Sequence, residues 1–130
     1  MKAVKVKILG KEHYLAMNGE AMFTIQDEFG GAAALLEKIA PDTRESFIAL
    51  CRAAAILAEQ GELARRYLGY EPGEILKAEK LIRLIQPPEI LSLKQDIPRA
   101  LTLGYGSEID KKSKKEIDLV LLELNQKKTR

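Results

Sequence analysis

Val4, Val6 and Ile8 alternate with Lys5 and Lys7, the two-residue period of a β-strand with one face in water. Gly10 and Lys11 supply a turn, and His13, Leu15 and Met17 then alternate with Tyr14 and Ala16. The start of the chain therefore predicts a β-hairpin. A lone hairpin is marginal in water, so this one must pack on something else.

From Asn18 onward the period becomes that of a helix. Asn18 is a good N-cap, Met22, Ile25 and Phe29 follow at helical spacing, and Gly30-Gly31 ends the run. A short second helix carries Leu35, Leu36 and Ile39. After Pro41, the Asp42 and Glu45 pair has the spacing of a capping box. Phe47, Leu50, Cys51, Ala54 and Leu57 then step by threes and fours along one face, while Glu45, Arg52, Glu59 and Arg66 recur on another. This predicts a long helix over residues 43–68 as the organiser of the core, with Gly61 expected to weaken its C-terminal part.

Gly69 and Pro72-Gly73 interrupt the pattern, and a further amphipathic helix is expected to carry Ile75, Ala78, Leu81, Ile82 and Ile85. Pro87-Pro88 ends it and opens the next helix, which Pro98 is expected to kink or split. Beyond Gly104-Tyr105-Gly106 lies a polar linker containing Lys111, Lys112, Lys114 and Lys115. A last helix is expected through Ile117, Val120, Leu121 and Leu124, with Leu119 and Leu122 widening its apolar surface.

The fold class that follows is α+β and predominantly helical, an N-terminal β-hairpin packed on a bundle of about five to six helices. Residues 1–106 form the hairpin and helical core. Residues 107–130 form a charged linker and an amphipathic helix that either docks on the same domain or serves as a partner-binding tail. Ile117, Val120, Leu121 and Leu124 are the candidate partner-binding residues.

Composition narrows the function. The 130 residues suit a single domain, and 46% hydrophobic with 31% charged residues is the balance of a soluble globular protein. Net charge is +2 with acids and bases interleaved, which lacks the one-sided field of nucleic-acid binding. The lysines near residue 111 are surrounded by Glu108, Asp110, Glu116 and Asp118 and have no aromatic residues among them for base stacking. No stretch approaches the roughly 18 uninterrupted apolar residues of a membrane span, and the start does not read as a signal peptide. The expected location is the cytoplasm, away from membranes.

Candidate chemistry is sparse. Cys51 is the only cysteine and His13 the only histidine, which excludes an intramolecular disulfide and any Cys- or His-rich metal cluster. His13 reads as a hairpin-face residue and Cys51 as a small buried hydrophobe on the long helix. Gly30-Gly31 and Gly104-Tyr105-Gly106 fit no phosphate-binding spacing. No catalytic, cofactor or metal residue is assigned, and the chain is expected to be a binding protein and not an enzyme.

Three stretches resemble a known family. They are the hairpin leading into Asn18-Gly19-Glu20-Ala21-Met22-Phe23-Thr24-Ile25-Gln26-Asp27-Glu28-Phe29-Gly30, the helical middle, and Ile117-Asp118-Leu119-Val120-Leu121-Leu122-Glu123-Leu124. Their order is similar to the short form of the tail assembly chaperones encoded between the tail tube and tape-measure genes of long-tailed phages and prophages. The resemblance implies a small α+β protein, absent from the finished virion, that coats the tape-measure protein and helps bring tail tube subunits to it in the host cytoplasm. It implies no cofactor and leaves self-association open. The alternative is a small helical regulatory or DNA-associated protein with residues 92–103 as its recognition segment, against which Pro98 and the lack of clustered basic residues argue.

Overall fold

The computed structural model describes residues 1–106 and 116–119 of the chain. Strands β1 (Lys2–Ile8) and β2 (Lys11–Leu15) pair antiparallel, with Val4 opposite Leu15 and Val6 opposite His13. Leu9 and Gly10 join them with φ of 52° and 80°, the left-handed pair that a two-residue hairpin turn needs to match the strand twist.

Five helices follow among the described residues: α1 (Gly19–Phe29), α2 (Ala32–Ile39), α3 (Arg44–Tyr67), α4 (Ala78–Leu84) and α5 (Pro87–Gly104). The protein is α+β and predominantly helical, as its periodicities require. A third strand, β3 (Glu116–Asp118), pairs antiparallel with β1 on the side away from β2, placing Ile117 opposite Ala3.

The core forms where the apolar face of the hairpin meets the apolar stripe of α3. Val4, Ile8 and Leu15 from the sheet, Leu50, Cys51, Ala54 and Leu57 from α3, and Ile25, Leu35, Leu81, Leu93 and Ile97 from the other helices are buried together. The opposite face of the sheet holds a smaller cluster of Ala3, Ala16 and Leu119, with Ala64 and Leu68 of the α3 end against it.

Two close approaches fix how the layers meet. The N–H of Ala16 donates to the carbonyl oxygen of Leu57 at 3.1 Å, so helix α3 caps the open edge of β2. Gly61, one turn further on, allows this, because a Cβ there would lie 1.7 Å from the Tyr14 carbonyl oxygen. Gly104 plays the same part at the end of α5, where a Cβ would lie 2.3 Å from that of Met17. Gly61 is thus a packing requirement within an unbroken helix, and not the weak point the pattern suggested.

Four further sequence expectations need correction. The cap of α3 is Thr43, whose Oγ1 accepts from the Ser46 N–H at 3.1 Å, while Asp42 is drawn away to Lys94. Ile75 lies before α4, in a segment held in an irregular path by side-chain bonds to Gly73 and Glu74, with Leu76 supplying the buried contact, and Ile85 is the extended C-cap that leads into Pro87. Pro98 does not split α5: Leu93, Ile97, Ala100 and Leu101 hold both sides of it against the core. Ile117 belongs to a strand and not to a helix, since the unfilled edge of β1 offers its backbone partners that an isolated short helix lacks.

Candidate functional site

Two concave places stand out, one apolar and one polar. The apolar groove runs between α2, the start of α3 and α5. Phe47 and Ile90 line one recess of about 360 Å³, beside Pro41, Thr43 and Arg44. Leu36, Ile39, Ala40 and Pro98 line a second of about 290 Å³.

Lys94 is the wall shared by both recesses. Its ammonium donates to Asp42 Oδ1 at 2.6 Å and to the carbonyl oxygens of Ala40 and Pro41 at 3.3 and 3.4 Å. Three acceptors match the three donors of the group, two of them carbonyls at the end of α2 where cations are favoured. The hydrogen bond and then the charge of Lys94 hold the Asp42 carboxyl below its ordinary pKa. With its charge so engaged, Lys94 offers the groove its methylene stem. Leu91, next to Ile90 in α5, is 64% exposed.

The polar cavity, of about 180 Å³, opens between β2, the C-terminal half of α3 and residues 71–74. Glu62 is its buried anchor. Its carboxylate accepts from Arg65 Nη1 at 2.7 Å, Arg66 Nε at 2.9 Å and the Gly73 N–H at 2.6 Å. Burial alone would raise the Glu62 pKa, but these three donors outweigh it and hold the group below its ordinary value. Both arginines reach Glu62 because three- and four-residue spacing sets them on its side of the helix.

The Arg65 guanidinium also lies 4.9 Å from the ring centroid of Tyr14 and 5.0 Å from that of Tyr70. Tyr70 in turn donates its hydroxyl to the Leu119 carbonyl oxygen at 2.5 Å. Glu74 accepts from Lys11 at 2.8 Å and also from Lys80, and these bonds bring its pKa down to about 2.

His13 lines the same cavity and is only 6% exposed. Burial lowers its pKa, with Glu74 and Glu62 pulling the other way. Its imidazole has no hydrogen bond or ion pair among the described residues. Cys51 is buried in the main core, and loss of water pushes its thiol up to about 11, in keeping with a small hydrophobe.

Of the four residues singled out for partner binding, Ile117 is half-buried against the small cluster on the sheet. Val120, Leu121 and Leu124 lie outside the described residues. Neither concave site was recognised in the sequence. The spacing of Glu62, Arg65 and Arg66 was a legible signal for the polar one, but nothing local reveals that Gly73 and β2 complete it.

Among the described residues no group of His, Cys, Asp and Glu is arranged to hold a metal ion, and no helix is long and apolar enough to cross a membrane. No protein-family model matches the chain, and neither does any curated protein or solved structure.

Proposed function

We propose that this chain is a short-form tail assembly chaperone, a binding protein without a catalytic centre that covers apolar stripes of the tape-measure protein and helps recruit tail tube subunits. It would act in the host cytoplasm and be left out of the mature virion. The observation that carries the reading is the groove between α2, α3 and α5. Leu36, Ile39, Phe47, Ile90 and Pro98 give it apolar wall, its lysine is neutralised by Asp42 and the end of α2, and Arg44 stands at the end where Thr43 begins α3. Such a surface suits the apolar stripe of a helix, which is what a long helical partner exposes before assembly.

Val120, Leu121 and Leu124 are proposed to add a second apolar contact to the same partner. The resemblance in the hairpin, the first helix and the C-terminal run supports the choice of partner, because the groove by itself specifies only an amphipathic helix.

Co-expression with the product of the adjacent gene for a very long helical protein tests the reading. A soluble complex is expected, and Ile90→Gln, in the groove wall, should weaken it at least tenfold while the circular dichroism of the free protein is retained. Unchanged binding by that variant would remove the groove from the interface. Absence of any complex with the full-length partner would overturn the chaperone reading.

A further inference from the structure

The polar cavity has a use that the groove does not explain. Four carboxylates, Glu12, Glu62, Glu71 and Glu74, face it against the single guanidinium of Arg65. Glu62 is shared by Arg65 and Arg66, Lys5 lies 3.3 Å from Glu12, and Lys11 and Lys80 engage Glu74. Glu71 alone of the four has no ion pair or hydrogen bond among the described residues.

His13 adds an independent mark. An imidazole buried this deeply ordinarily satisfies its ring nitrogens, because an unpaired buried polar group costs stability. Here the ring has no partner among the described residues and borders the cavity. We propose that this cavity binds an organic primary ammonium group, with His13 as acceptor at its buried side and Glu71 as the counter-charge at its exposed side.

The chemistry selects that class over its rivals. A neutral imidazole presents one lone pair to a donor, and an ammonium carries three N–H donors to divide between it and carboxylate oxygens. An anion would meet the unpaired carboxylate of Glu71, while the cations around the cavity are already committed to Glu12, Glu62 and Glu74. A bare metal ion is disfavoured, since no ligand set of the required kind exists among the described residues. A volume of about 180 Å³ has room for roughly six waters at ~30 Å³ each, or for an ammonium head with a short methylene stem. The Tyr14 ring and Ala58 supply apolar wall for that stem. A lysine side chain of a partner and a free alkylamine share this chemistry. The site does not depend on what occupies the groove.

His13 is the only histidine, so its imidazole gives one resolved NMR signal. Titration of the full chain with n-butylammonium chloride at constant pH and ionic strength is expected to move that signal along a saturating curve. Sodium chloride and sodium acetate should leave it in place. Glu71→Gln, at an exposed position, should weaken the butylammonium response at least threefold while the Tm is retained. A peptide with one central lysine, compared with its norleucine counterpart, separates the sources: tighter binding of the lysine peptide than of butylammonium assigns a protein partner, and weaker binding assigns a free amine. A response to butylammonium that is linear, matched by sodium chloride, or unaffected by Glu71→Gln would overturn the proposal.

Discussion

The N–H of Ala16 and the carbonyl oxygen of Leu57 meet at 3.1 Å, joining the end of strand β2 to the middle of helix α3. A free strand edge is ordinarily a template for unwanted pairing, and here a helix covers it. The contact exists only because Gly61 leaves room for the Tyr14 carbonyl.

Gly61→Ala is therefore expected to destabilise the fold by roughly 2–3 kcal/mol, since backbone on both sides must move. Ordinary helix propensity pulls the opposite way, favouring alanine over glycine by about 0.5–1 kcal/mol. Urea unfolding decides between them: a variant as stable as the parent would mean that α3 and β2 do not approach as described.

Leu50 is fully buried on the central stripe of α3. Leu50→Ala should cost roughly 2–5 kcal/mol through lost burial and an unfilled cavity. Phe23→Ala, at a position 62% exposed, should stay within about 0.5 kcal/mol. Equal thermal shifts for the two would contradict this placement of the core.

Leu119 closes the small cluster over Ala3 and Ala16, its N–H donates to the Met1 carbonyl oxygen at 3.0 Å, and Asp118 pairs with the amino group of Met1 at 3.0 Å. Ending the chain after Lys115 should leave the main core folded but less stable, with Leu119→Ala accounting for roughly 2 kcal/mol of the loss. Calorimetry that finds the truncated chain as stable as the whole would place residues 116–119 outside the cooperative unit.

Acidification should weaken the fold in two steps. The His13 pKa is lower in the folded state than its ordinary 6.5, so its contribution is complete above 6.5 and is lost as pH falls through the folded value. Glu62 is likewise held below its ordinary 4.5, and its contribution is lost only beneath that pH. His13→Gln should flatten stability against pH in the upper window and leave the lower one intact. If the parent chain shows no loss between pH 6.5 and 4.5, the imidazole is not buried in its neutral form.

The repeating patterns of the chain determined its local elements. Alternation of Val4, Val6 and Ile8 with lysines was enough for the hairpin, and the spacing of Phe47, Leu50, Ala54 and Leu57 was enough for α3, because each element buries a face whose period is that of its own backbone. Asn18, Gly30 and Pro87 marked boundaries for equally local reasons. Neighbouring residues competing for one role were harder: Asp42 and Thr43 can both cap, and only the lysine of α5 decides between them by engaging Asp42. The apolar run from Ile117 suits a helix or a strand equally at that length, and the vacant edge of β1 made residues 116–118 a strand. The two concave sites were decided by the tertiary structure alone. Lys94 meets Asp42 across 52 residues of chain and Glu62 meets Gly73 through a loop without regular structure, and partners brought together by packing leave no period in the sequence to read.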